Sequence, residues 1–306
     1  DAGGSVSVRS LVKTAAEATL TAPLVIDVLR RRVRGRSLIL AYHNVVSDDT
    51  PRGDRTLHLP LRAFVAQLDA AARHYDVVTL PQLLSGSSRR PRIAVTFDDA
   101  YCGAIKLALP ELRKRGMPST VFVAPGRLGG HTFWWDALAT RDAGLSPDAR
   151  RHALHELQGK DERVRAWAAA SGFPSEDVPA EYHSASEDDL HAAAAGGHVH
   201  YGAHTWSHPS LPDLDAQDLQ RELERPLPWL RERFACAIPW LAYPYGHSSP
   251  AVAAATQRAG YEAACLVAGG WLGRESGDRF ALARQNIPDM LSVNGFRLRL
   301  AGLFCE

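Results

Sequence analysis

The chain has 306 residues, 45% of them hydrophobic and 23% charged, enough to bury a substantial core as one large α/β domain or two small ones. Lys+Arg 35 against Asp+Glu 34 leaves a formal net charge of +1, which excludes the basic footprint of a nucleic-acid binder and a strongly acidic tail. Cys102, Cys236, Cys265 and Cys305 are scattered without CxxC spacing, which excludes a disulfide framework, and no apolar run reaches the length of a membrane span.

Taken in chain order, residues 1–36 form an N-terminal helical and basic segment. Leu11, Ala15, Ala16, Leu20, Leu24, Val25 and Val28 recur at rough helical spacing, and Arg30-Arg31-Arg32-Val33-Arg34-Gly35-Arg36 follows. The spacing predicts an outer helix docked on the domain with a solvated basic end; the alternative is peripheral contact with an anionic membrane surface or a lipid-linked substrate. The N-terminus carries no signal-peptide pattern. With the free thiols, this places the chain as given in the cytoplasm, or outside it if the N-terminus has been trimmed.

Strands are expected over residues 37–45, 76–80, 92–97, 119–124, 198–204, 238–243, 261–267 and 280–287, and helices over 61–74, 102–115, 216–234 and 250–259. Residues 131–196 break this rhythm and read as a largely helical insertion inside a domain spanning 37–290, and a C-terminal helix occupies 291–306. Strands alternating with helices predict a closed or nearly closed, distorted (β/α) barrel, in which chemistry gathers at the strand C-terminal ends. His43, Asp98, Asp99, His204 and Tyr245 all fall at or just past a predicted strand end.

Asp98 and Asp99 close the buried strand Arg92-Ile93-Ala94-Val95-Thr96-Phe97. Two carboxylates there repel each other and lose hydration unless a cation sits nearby. His204-Thr205-Trp206-Ser207-His208 supplies a holder for one, because an Asp with two His is a common divalent-metal set and a second Asp beside it can act as a base. Pro209 disfavours helical geometry at His208, so the two histidines are expected on a loop. Without a metal, the Asp pair reads as a helix cap and the histidines as ordinary polar residues.

Other segments add to this. His43 ends the strand Leu38-Ile39-Leu40-Ala41-Tyr42 and can protonate a leaving group. The turn Tyr243-Pro244-Tyr245-Gly246 presents backbone N–H groups suited to an oxyanion. Arg284, on a strand, can hold a carboxylate with two parallel bonds. Trp134, Trp135 and Trp206 can give a sugar an aromatic platform, although aromatic residues more often fill cores.

Thr96-Phe97-Asp98-Asp99, His204-Thr205-Trp206-Ser207-His208-Pro209, Tyr243-Pro244-Tyr245-Gly246 and Leu282-Ala283-Arg284-Gln285-Asn286 together resemble the motifs of the NodB-homology polysaccharide deacetylases, carbohydrate esterase family 4. The resemblance implies a distorted (β/α) barrel that removes acetyl groups from N-acetylated sugars with one divalent metal, Zn²⁺ first and Ni²⁺ or Co²⁺ after it. It implies Asp98 as general base, Asp99, His204 and His208 as metal ligands, Tyr245 N–H as oxyanion donor and Arg284 as the group orienting Asp98. An acetylated carbohydrate is the partner implied. An O-acetyl esterase, a non-carbohydrate amidase on the same scaffold and a non-catalytic carbohydrate-binding relic are the alternatives.

The chain departs from the pattern at three points. The late Leu-x-His general-acid motif is absent from Gly295-Phe296-Arg297-Leu298-Arg299-Leu300. His200 and Ala283 stand where an acidic residue and a proline are common. Ala41-Tyr42-His43 resembles the branch typified by poly-N-acetylglucosamine deacetylases, which carries its acid early, and this implies His43 as the acid.

Overall fold

The computed structural model describes residues 8–48, 51–85, 90–140, 143–175, 177–273 and 277–304, with side chains from residue 13; Cys305, the side chain of Leu11 and the outer ends of the 1–36 and 291–306 segments lie outside them. Among the described residues ten strands run in chain order: β1 (Ser37–Tyr42), β2 (Asn44–Val46), β3 (His58–Pro60), β4 (Asp76–Val77), β5 (Arg92–Phe97), β6 (Ser119–Val123), β7 (Val199–Ala203), β8 (Ala237–Ala242), β9 (Ala263–Gly269) and β10 (Leu282–Asn286). All their pairings are parallel. Because β1 bonds both β10 and β5, seven strands close into a barrel in the order β1-β5-β6-β7-β8-β9-β10.

The barrel strands are apolar and mostly buried, as expected where helices cover a parallel sheet. Their period of two sorts the side chains into two cores. Ile39, Ala94, Phe122, Trp240, Ala242, Cys265 and Leu282 form one cluster. Leu38, Leu40, Ile93, Val95, Val121, Val123, Leu241 and Ala264 belong to another, shared with Phe64 and Leu68 of the helix Leu61–Ala72, Leu227 and Leu230 of Pro226–Arg233, and Phe296 and Leu300 of Val293–Leu300.

The strand expected at 76–80 shortens to the two residues of β4, paired to the start of β5 outside the closed ring. Thr79 forms a reciprocal capping box with Gln82 and starts the helix Leu80–Leu84 instead. The expected helix 216–234 splits into Ala216–Glu224 and Pro226–Arg233, since Pro226 supplies no N–H to continue the ladder. The 102–115 helix opens on a π-turn, Ala104–Ala108, before Leu109–Lys114, which carries Pro110 in its first turn. The strand expected to run 37–45 breaks at His43, between β1 and β2, and so turns that residue out of the sheet. The 131–196 region consists of short helices, the longest being Asp161–Ala170 and Glu187–Ala195. No helix among the described residues is long and apolar enough to cross a membrane.

Candidate active site and metal centre

The site is built from four strand ends. Asp98 follows β5 on the same parity as Ala94 and Thr96, so its carboxylate continues the inward-facing row. Asp99 would then point away, but its φ of 69° turns the chain and brings the second carboxylate to the same cavity. Among the described residues eight non-glycines have positive φ, and five of them (Asp99, Ala100, Thr205, His208 and Tyr245) lie in these strand-end turns. Such conformations cost on the order of 1–3 kcal/mol each and persist where the surroundings over-determine them.

Asp99, His204 and His208 are all buried, and their ligand atoms lie within 4.8 Å of one another. His208 Nε2 stands 3.1 Å from Asp99 Oδ1 and 3.1 Å from His204 Nε2, and His204 Nε2 stands 3.5 Å from Asp99 Oδ1. His204 Nδ1 lies 2.7 Å from the Ala242 carbonyl, so it carries the ring proton and Nε2 presents a lone pair to the cluster. Asp99 Oδ1 and His208 Nδ1 are buried without a hydrogen-bond partner. Converging lone pairs on a carboxylate and two imidazoles match the donor set of a divalent cation, and such an ion would satisfy the orphaned Asp99 oxygen. The two histidines sit on a loop after β7, as Pro209 predicted, and Thr205 Oγ1 accepts the His208 N–H at 3.1 Å.

Asp98 is held from the barrel interior. Arg284 donates Nη1 to Oδ1 at 2.7 Å and Nη2 to Oδ2 at 2.6 Å, a bidentate pair, and also reaches Thr96 Oγ1 and the Leu266 carbonyl. Arg284 is fully buried on β10 beside a register shift: Leu282 pairs with Cys265, but Arg284 pairs with Gly269. Burial pushes the Asp98 carboxyl up, but the charge and hydrogen bonds of Arg284 override it and hold the group below its usual range. His43 Nε2 lies 3.9 Å from Asp98 Oδ2. Burial pulls the His43 imidazole below its ordinary pKa, against the raising effect of Asp98 and Asp99.

One cavity is lined by His43, Asp98, Asp99, Trp135, His204, His208 and Tyr245, together with Arg150 from the 131–196 region. Trp135 packs 4.9 Å from the His208 ring and edge-on to Tyr245 at 5.8 Å. Trp134 is buried behind it and does not line this cavity. Trp206 also lies off the cavity, with the Arg225 guanidinium 3.8 Å from its ring centre.

Three supporting features escape a reading of the sequence. Glu222, on the helix Ala216–Glu224, accepts the Trp206 and Ser207 N–H groups at 2.9 and 2.8 Å and the Ser207 hydroxyl at 2.7 Å, which pins the histidine loop. Gly126 donates its N–H to the Trp206 carbonyl at 2.8 Å, and a Cβ there would sit 2.8 Å from that oxygen. Beneath Trp135, its Nε1 donates to Tyr101 Oη at 2.8 Å and Tyr101 donates to Asp136 at 2.6 Å. His58 Nε2 meets Asp136 at 2.9 Å, and Asn44 closes the chain on His58 at 3.2 Å. Asn44 neighbours His43, so this buried network ties the wall beside His208 to the strand end that carries His43.

The polysaccharide deacetylase family model matches residues 85–264, more than half of the chain. Among solved structures, a polysaccharide deacetylase from Bacillus cereus superposes with TM-score 0.63 at 17% identity, covering 87% of this chain and 69% of that one. IcaB from Ammonifex degensii superposes with TM-score 0.60 at 19% identity, covering 87% and 97%. A de-N-acetylase from Aggregatibacter actinomycetemcomitans gives TM-score 0.61 at 14% identity, covering 86% and 99%. These likenesses show the barrel, and no curated protein matches the chain significantly. With the family model covering β5 to the start of β9 and the buried Asp-His-His cluster inside that span, the chain belongs to the polysaccharide deacetylase family, hydrolases of acetylated sugars.

Proposed function

We propose that the protein is a metal-dependent de-N-acetylase acting on an N-acetylated sugar in a glycan or glycoconjugate. The observation that carries this reading is the convergence of Asp99 Oδ1, His204 Nε2 and His208 Nε2 beside an ionised Asp98. A divalent ion held by those three residues, Zn²⁺ or failing that Ni²⁺ or Co²⁺, supplies Lewis acidity for the amide carbonyl and acidifies water.

The chain's own groups supply the rest. Asp98, kept ionised and aimed by Arg284, accepts the proton of the attacking water. The Tyr245 backbone N–H, in the turn after β8, donates to the developing oxyanion. His43 stands on the other side of Asp98 and hands its proton to the departing amine. It fills the part left by the absent late motif. Trp135 walls the cavity and offers a face to the sugar or its acetyl group. Water cleaves the C–N bond, so the products are acetate and a free amine.

The test is acetate release over a panel of N-acetylated and O-acetylated sugars, with bound metal measured on the same samples. Release from N-acetylated substrates is expected from the wild type and not from Asp98→Asn. Full activity in Asp98→Asn, or release from the O-acetylated sugars alone, overturns the reading.

A further inference from the structure

The helix Pro23–Arg31 lies on the domain with one face inward. Ile26 and Leu29 are buried against Leu298 and Ala301 of the C-terminal segment. The opposite face is apolar and open: Leu24 is 85% exposed, Val28 54% and Val25 40%. Leu24, Val28 and Arg31 follow one another at helical spacing, so an apolar stripe runs into the basic turn that ends the helix.

The charge beside that stripe is concentrated. Arg30, Arg31, Arg34 and Arg90 line one hollow with Asp27, His74 and Tyr75, and Arg32 lies in the same turn. Arg30 pairs with Asp27 and Arg90 with Asp76, and Arg31, Arg32 and Arg34 are exposed to solvent. Exposed leucine and valine merging into clustered arginine is the chemistry that partitions into an anionic bilayer interface: apolar side chains enter the acyl boundary and guanidinium groups meet the headgroup phosphates.

We infer that this face docks the protein on an anionic membrane surface, with the catalytic cavity directed away from it. The orientation follows from the barrel. Arg34 and Arg36 precede β1 and Arg90 precedes β5, whereas His43 and Asp98 follow the same two strands. Each strand has six residues, so the basic turn and the cavity lie at opposite ends of strands that are about 20 Å long. A substrate is therefore met on the far side from the bilayer, as an extended glycan would be. A sugar attached directly to a lipid headgroup would lie at the wrong end of the barrel. This placement does not depend on the chemistry proposed for the cavity.

Vesicle co-sedimentation tests it, with phosphatidylcholine alone and with phosphatidylcholine mixed with phosphatidylglycerol, at low and high salt. The wild type is expected to pellet with the anionic vesicles and to be released by salt. Neutralising Arg31 or Arg32 should weaken partitioning about five-fold each at low salt. Leu24→Glu/Val28→Glu should reduce binding to background while its circular dichroism and its hydrolysis of a soluble substrate stay unchanged. Failure of the wild type to pellet with anionic vesicles overturns the inference, as does equal binding to neutral ones. So does a concentration-dependent dimer that Leu24→Glu dissociates, which would assign the stripe to a second copy of the chain. The readout is membrane binding, so an inactive protein that binds would refute the catalytic reading and leave this one standing.

Discussion

The two ends of the barrel carry charge in opposite ways. At the strand C-terminal ends Asp98, Asp99, His204, His208 and Arg284 are each at most 4% exposed. At the N-terminal ends of β1 and β5, Arg31, Arg32 and Arg34 are open to solvent. An ion removed from water costs several kcal/mol even after relaxation, so it persists only where partners are placed around it. Asp98 has two bonds from Arg284, and Asp99 has two imidazoles. An exposed arginine costs almost nothing to keep. The buried end therefore specifies a geometry, which chemistry requires, and the open end supplies a field, which suffices for holding a surface.

This contrast predicts where substitutions bite. The largest effect is expected in Asp98→Asn, with kcat falling about 10²–10⁴-fold. Elemental analysis should find its metal content unchanged, whereas His204→Ala should lose both metal and turnover. Next is Arg284→Met. Removing one member of a buried pair leaves Asp98 uncompensated, and a loss of about 3–5 kcal/mol is expected from denaturant unfolding. If Arg284→Met unfolded at the wild-type midpoint, the buried end would be no different from the open one.

How much of this was legible in the sequence follows the same division. The barrel strands were legible because apolar, β-branched runs such as Ile93-Ala94-Val95-Thr96-Phe97 exceed any surface pattern, and charged residues ending such runs stand out. Asp98, Asp99, His204 and His208 were found on that ground, and the structure gathers them with His43 and Tyr245 around one cavity. Glu222 was not legible: it is one of several acidic residues on an amphipathic helix, and only the fold carries it to the histidine loop. The His58–Asp136–Tyr101 network was hidden for a similar reason, since its members come from three separate segments. Trp134 and Trp206 show the limit of residue type. Their aromatic character suggested a sugar platform, but residue type does not say which way a ring faces, and both lie off the cavity. The 76–80 strand failed locally, because Thr79 and Gln82 can cap a helix and that local gain ends β4 after two residues.

A smaller effect is expected where the buried end is supported from outside. Glu222→Ala removes three hydrogen bonds from the loop that holds His204 and His208 while touching neither ring. Groups that orient metal ligands typically contribute 10–100-fold to affinity, so a drop of about that size is expected in a competition titration against a chelator. Turnover at saturating metal should recover most of the wild-type value. If it does not, Glu222 shapes more than the metal loop.

The smallest effect is predicted at the open end, and it tests the comparison from the other side. Asp76 pairs with Arg90 at 3.3 Å, and both side chains are well exposed, at 38% and 48%. An ion pair in that setting gains little over hydration, and salt screens what it gains. Asp76→Asn is expected to shift unfolding by about 0.2–1 kcal/mol at low ionic strength and by less in high salt. It also removes a negative charge beside the Arg30–Arg34 cluster, so binding to anionic vesicles should strengthen while acetate release stays constant. A loss comparable to that of Arg284→Met would mean that the bottom of the barrel, too, depends on specific charge geometry. The division between an end that fixes ions and an end that only displays them would then fail.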